Sequence, residues 1–355
     1  MGVDETEIDA AVAAGALKPT DALALRRFVA ARRAAPPPIA SDAHFRYLGG
    51  AGGIVAALGI LPVWLGLMLI TFTLMGPLGG APIAIGAWML AGRFADARQG
   101  VAATLLYVVF GIHTAMAMLG LLGVIEAVTP LQGLLVASAT SAGSFAYWYR
   151  FRLPIAFTGG VLATLTIGDH VLMGVFPDAS GALVTAWMLT SALTVFACAM
   201  WWDMTDVYRQ TIRSDIAWWL HGLAAFKLCA SGTRAIVGVR GDADGWASLW
   251  SLPAEMATAS SCGLILLIAA YAVVAIAIDR RALAVIGALF LFPALNGLTG
   301  SSLMPVTLLA TGGIAIFASL RWRALRQAVL ARLPATWRAQ LPRTDATFLW
   351  ERPVA

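Results

Sequence analysis

Long apolar stretches, each about the length of a bilayer crossing, alternate along this chain with short polar gaps. The hydrocarbon layer is roughly 30 Å thick and a helix rises about 1.5 Å per residue, so one crossing takes about 20 residues. The pattern predicts ten transmembrane helices, over 48–70, 77–92, 101–123, 130–148, 153–176, 181–202, 216–238, 256–278, 282–300 and 303–320. Only the run from Gly76 to Pro82, rich in glycine and proline, separates the first two. Ahead of the spans, Glu5 to Ala14 predicts a short helix stopped at Gly15. Pro19-Thr20-Asp21 then opens a second helix through Leu25, Phe28 and Val29 to Arg33, which makes a helical hairpin. Pro36, Pro37 and Pro38 form a stiff linker to His44-Phe45-Arg46 at the membrane. After the last span, Trp322, Leu325, Val329 and Leu333 recur at helical spacing among Arg321, Arg323, Arg326 and Arg332. That pattern predicts an amphipathic helix in the interface, limited by Pro334. The expected fold is therefore an all-α polytopic transmembrane bundle (47–320), with a cytoplasmic hairpin and linker (1–46) and a basic amphipathic tail (321–355).

The charges set the expected topology. Of the 24 lysines and arginines, 21 fall into alternate gaps or the two ends, and basic residues concentrate on the cytoplasmic side of a bilayer. Arg93 with Arg98, Arg150 with Arg152, Arg209 with Arg213, and Arg280 with Arg281 mark cytoplasmic turns, whereas Glu126, Asp178 and the segment with Arg240, Asp242, Asp244 and Glu255 mark outer ones. Dropping one span would invert everything downstream. The expectation is ten spans with both ends inside, in a bacterial inner membrane.

Composition narrows the function classes. With 60% hydrophobic and 12% charged residues and a mean hydropathy of +0.80, the chain is far more apolar than a soluble domain. The net charge of +5 lies in arginine-rich cytoplasmic segments suited to anionic lipids, and no polar segment is long enough for a nucleic-acid module. Cys198, Cys229 and Cys262 lie in apolar stretches without metal-type spacing. The acidic start, Asp4, Glu5, Glu7 and Asp9, is not that of a signal peptide. Asp242-Ala243-Asp244-Gly245 lacks the later ligands of a calcium loop, and no catalytic or nucleotide-binding motif is present. No cofactor is expected.

Ionisable groups inside a bilayer are costly and are functional candidates by default. Here they are His113, Asp169, His170, His221 and Lys227, with Arg234 near the outer end of its span. Lys227, Ser231 and Arg234 are four and three residues apart and share one helix face. A buried cluster of Asp169 with Lys227, Arg234 or both, and His170 or His113 nearby, would serve as a relay or as a helix–helix staple. A second candidate is the charged cytoplasmic turn with Asp203, Asp206, Arg209, Arg213 and Asp215, leading to His221. Its plainest reading is a self-paired, solvated loop. Pro293 with Asn296, Gly297 and Gly300 interrupts the ninth span, as a kink, a turn or a broken transporter helix.

Gly15-Ala16-Leu17 followed by a second short helix, and Asp42-Ala43-His44-Phe45-Arg46 before the first span, resemble the start of an uncharacterised family of multi-pass bacterial inner-membrane proteins. Trp202-Asp203-Met204-Thr205-Asp206 through Arg209, Thr211 and Arg213-Ser214-Asp215 to Trp219-Leu220-His221 is also similar to that family, as are Asp279-Arg280-Arg281-Ala282 and the tail from Trp322 to Pro334. The resemblance implies the topology and no particular activity. Lys227, where relatives carry an apolar residue, lies outside it. Two functions are expected from the chain as a whole. One is a permease-like transporter for a small solute or proton. The other is a non-catalytic scaffold or sensor, with residues 1–38 as a possible partner-binding arm.

Overall fold

The computed structural model describes residues 5–34, 50–96, 100–124, 128–206, 209, 211–237 and 257–341. The described residues are almost wholly helical and contain no strand. The triple-proline linker, Arg98, Glu126, the outer segment with Asp242 and the end beyond Leu341 lie outside them.

Two units make up the chain. In the first, α1 (Glu5–Ala13) and α2 (Pro19–Ala34) form the expected hairpin. Gly15, at φ 70°, stops α1 in a left-handed conformation that glycine adopts without strain. Pro19 opens α2 at a position where a missing N–H costs nothing. Arg26 pairs with Asp9 across the hairpin, and Ile8 and Ala22 are buried.

The second unit is the bundle. Ten helices lie on the ten apolar segments: α3 (Gly50–Met75), α4 (Gly80–Asp96), α5 (Gly100–Leu121), α6 (Pro130–Phe151), α7 (Pro154–Val175), α8 (Gly181–Thr205), α9 (Ile212–Val237), α10 (Thr258–Ile278), α11 (Arg281–Thr299) and α12 (Met304–Leu320). A single 3-10 turn, Gly76–Gly79, joins α3 to α4, with Gly76 at φ 58°. By length and composition, six apolar runs among the described residues qualify as membrane crossings, with α3 and α4 counted together as one. There are seven if α12 and the following α13 (Trp322–Arg332), bent by 76°, form one span. The chain is thus an all-α, multi-pass membrane bundle. Its outer surface is correspondingly apolar: Leu58, Leu74, Met89, Leu309 and Leu320 are all exposed, as suits lipid rather than water.

Antiparallel neighbours pack as α4/α5, α6/α7, α8/α9 and α10/α11, while α9 also packs against α7, α10 and α11. This central place explains why α9 does not qualify as a span by its own hydropathy. From Ile216 to Thr233 most of its side chains are buried by other helices, so lipid never tests its polarity. Local signals fix the helix ends. Thr129 caps α6 through a reciprocal pair with Gln132, whose N–H donates to Thr129 Oγ1 (3.3 Å) while Thr129 N–H donates to Gln132 Oε1 (3.0 Å). Ser180 caps α8. One expectation is corrected here: α11 runs through Pro293 without a break and ends at Gly300 (φ 78°), so the ninth span is not a broken helix. The tail forms α13 as expected, followed by α14 (Ala335–Gln340).

Candidate functional site: a buried clasp joining the ends of α8, α9 and α11

The charged turn is buried and cross-linked to other helices. This corrects the expectation of a solvated, self-paired loop. Asp203, in the last turn of α8, is 5% exposed, and its partner Arg280, the residue that starts α11, is 1% exposed. The guanidinium grips the carboxylate at two points, with Nε donating to Oδ2 (2.8 Å) and a terminal nitrogen to Oδ1. The same nitrogen reaches Ser214 Oγ at 3.3 Å on α9. His221 Nε2, about two turns further along α9 and fully buried, lies 2.9 Å from Asp203 Oδ2. Its ring also meets the Phe196 ring edge-on, with centroids 5.5 Å apart. Helices α8, α9 and α11 are thereby tied through one carboxylate, and taking out either Asp203 or Arg280 strands a buried charge.

A second knot lies beside the first. Arg209, in the α8–α9 turn, donates to the carbonyls of Ile278 (3.0 Å) and Asp279 (3.1 Å) at the C-terminus of α10. Those carbonyls have no partner within their own helix, and a cation there also opposes the helix dipole. Asp279 lies 3.8 Å from Arg209 through Oδ2 and accepts from Trp322 Nε1 of α13 through Oδ1 (2.6 Å). Arg281 stacks over the Trp322 ring, its guanidinium carbon 5.5 Å from the centroid. The tail helix is therefore pinned to the bundle by the face carrying Trp322 and Arg326, both buried. Asp206 closes the turn itself, since its Oδ2 accepts from Thr211 N–H and Oγ1, both at 2.8 Å. Arg213 is exposed and Asp215 half-buried. Arg280, Asp279, Ser214 and Trp322 were not among the expected site residues, although Asp279-Arg280-Arg281 stands out in the sequence as a charge triplet between two spans.

The intramembrane candidates divide among several helix interfaces. Lys227 and Ser231 are both fully buried, with Ser231 Oγ donating to Leu228 O (3.1 Å), while Arg234 is half-buried. Asp169, on α7, accepts from Trp187 Nε1 of α8 at 2.6 Å. Trp187 went unnoticed in the sequence because it reads as one more apolar side chain. Gly168 leaves room for it, since a Cβ there would come within 2.5 Å of the indole. His170 instead lies against Gly133 of α6, where a Cβ would meet the imidazole ring at 2.1 Å. His113 is committed to α3: Trp64 Nε1 donates to its Nε2 (3.3 Å), and Nδ1 lies 3.1 Å from Val109 O. An acceptor at Nε2 and a donor at Nδ1 define the neutral tautomer, so His113 is a satisfied packing residue.

None of these groups makes a hydrolytic triad, because Ser214 accepts from Arg280 while His221 meets the carboxylate. No group of three histidine, cysteine or acidic side chains able to hold a metal occurs among the described residues. In comparisons with known proteins, no family model, no curated protein and no solved structure matches the chain.

Proposed function

We propose that the chain crosses a bacterial inner membrane ten times with both ends in the cytoplasm, and that its bundle is a permease for a small solute or proton. In this reading the Asp203–Arg280–His221 clasp holds the cytoplasmic end shut. The topology rests on ten helices separated by gaps whose arginines alternate. It accords with the resemblance to uncharacterised multi-pass inner-membrane proteins.

The observation that carries the function is Lys227. Its side chain is 0% exposed inside the central helix, about 9 Å along the axis from His221. A charge kept at that depth is costly unless a pathway or a partner uses it. The clasp gives this pathway a closed end made of pairs that have two discrete arrangements, made or broken.

Cys229, fully buried two residues beyond Lys227, is a native reporter. With Cys198→Ala and Cys262→Ala it becomes the sole thiol. A membrane-impermeant methanethiosulfonate added to inside-out vesicles is expected to leave it unmodified in the otherwise native chain and to modify it once Asp203→Asn opens the clasp. Protection in both, or reactivity from both membrane faces, overturns the gate.

A specific observation favours a second reading. Trp64–His113 and Trp187–Asp169 satisfy buried polar groups across helix interfaces, as staples of a static scaffold would. In that reading residues 1–38 recruit a protein partner.

A further inference from the structure

A groove of about 620 Å³ runs between α5 and α7 with α6 as its floor, apart from both the clasp and Lys227. It extends along α5 from Tyr107 to Leu119 and along α7 from Ile155 to His170. Those distances are about 18 Å and about 22 Å. Half of the hydrocarbon layer is about 15 Å thick, so the groove can take the full length of one lipid chain.

Its walls are built from small residues, including Gly111, Ala115, Gly133, Ala137 and Ala163, that leave the space open. Four of its hydroxyls are spent elsewhere. Thr140, Thr158 and Thr166 donate to carbonyls of their own helices, of Val136 (2.8 Å), Pro154 (3.5 Å) and Leu162 (3.1 Å), and Tyr107 donates to Ser144 Oγ (3.0 Å). They therefore present methyl and ring carbon to the groove. A polar solute finds little to bond there.

The charge lies at one end. Arg150 and Arg152, both exposed, flank the α6–α7 turn three to five residues before Ile155, and no acidic residue accompanies them between α6 and α7. Arg152 is held against the Trp148 and Tyr149 rings at 5.0 and 5.3 Å, and Arg150 lies 5.3 Å from the Phe151 ring. Two cations in the turn that leads into the α7 wall of the groove complement an anionic headgroup joined to a chain.

We propose that this groove retains one acyl chain of an anionic phospholipid from the cytoplasmic leaflet, its headgroup held by Arg150 and Arg152. The inference rests on α5 and α7 crossing the bilayer and not on the permease reading. No hydrophobic force distinguishes a chain in the groove from a chain in bulk lipid, so retention depends on close packing against the small residues and on the headgroup pair.

The test uses the full chain in phosphatidylethanolamine vesicles doped with phosphatidylglycerol that carries a mid-chain diazirine. After photolysis, adducts are mapped on peptides. The expected result is adducts concentrated at 107–119 and 155–170. Gly111→Phe should remove this concentration, since a Cβ there meets only Tyr107 Oη at 4.0 Å and the ring can fill the groove without disturbing the helices. Gly312→Phe, exposed on α12 with nothing within 4 Å, should leave it intact. Arg150→Gln and Arg152→Gln should each lower groove adducts about fivefold, the factor for one cation near an anionic lipid. Adducts spread evenly over all exposed helices and unchanged by Gly111→Phe would reduce the site to ordinary surrounding lipid. If the probe labels other helices but never α5 or α7, the crossing itself is wrong, and the site falls with it.

Discussion

Removing one end of the Asp203–Arg280 pair should cost far more than removing both. Arg280→Met takes away two charge-assisted hydrogen bonds, each worth about 1.5–3 kcal/mol, and leaves the Asp203 carboxylate in a site that is 5% exposed. Stranding a buried charge typically costs about 3–5 kcal/mol. His221, 2.9 Å away, can offset part of this by holding a proton, which places the expected loss near the lower end, about 3 kcal/mol. Asp203→Leu takes the carboxylate away from the buried Arg280 guanidinium and should cost about the same. The double variant buries two apolar side chains where two charges stood, so it should be more stable than either single one and cost about 1–2 kcal/mol, mostly from loss of the bond between His221 and Asp203. The assay is equilibrium unfolding in mixed detergent and dodecyl sulfate micelles, followed through the exposure of buried Cys229 to a thiol-reactive dye. If the two single losses add to the double loss within about 0.5 kcal/mol, the residues do not share an interaction and the clasp does not exist.

Two other variants probe separate interfaces. Trp322→Phe deletes the 2.6 Å bond to Asp279 while keeping an aromatic ring under Arg281. It should release α13 by about 1.5–3 kcal/mol, seen as faster tryptic cleavage at Arg323 in inside-out vesicles, and an unchanged rate would mean that another contact holds the tail. Trp64→Phe should destabilise the α3–α5 interface by about 1–2 kcal/mol by orphaning His113 Nε2, and adding His113→Leu should recover most of that loss in the same unfolding assay. Failure of the second substitution to rescue the first would show that the indole acts by shape alone.

The helices were legible because their signal is periodic and local. Thr129-Pro130-Leu131-Gln132 carries a capping box, Gly15 and Gly76 take the left-handed conformations that stop or turn a helix, and each apolar run is the right length. The clasp was legible only in half. Asp203, Asp206, Arg209 and His221 stood out as charges beside a span. Their partner Arg280 lies 77 residues after Asp203, and nothing in spacing links the two. The error over solvation has a physical source as well: charges between spans are counted as facing water, whereas tightly folded turns can bury them against a neighbouring turn. Proline misled in the same way. Pro293 reads as an interruption, but inside a membrane bundle neighbouring helices support the freed carbonyl and the helix continues.

Among the described residues, three that are not glycine adopt left-handed backbone conformations, Arg152, Arg209 and Asp279, and all three lie in turns that the proposed topology puts on the cytoplasmic side. Such a conformation disfavours a side chain by roughly 1–2 kcal/mol, so glycine would be the cheaper choice at each turn. Each of these side chains does something that glycine cannot. Arg209 closes the carbonyl end of α10, Asp279 receives both Arg209 and Trp322, and Arg152 stacks on two aromatic rings in the turn that leads into α7. For the two arginines the requirement is double. In the proposed topology they belong to the basic set that holds these turns inside during insertion, when pairing has not yet occurred and only the positive charge counts. Once the bundle has closed, burial makes a lone Arg209 costly, and the α10 carbonyls with Asp279 supply the compensation. Arg152 stays exposed, keeps its charge at the surface and remains free to meet an anionic headgroup. The contrast between the buried Arg209 and the exposed Arg152 thus separates, in the proposed topology, the part of the cytoplasmic face that locks the helices from the part left open to an anionic lipid.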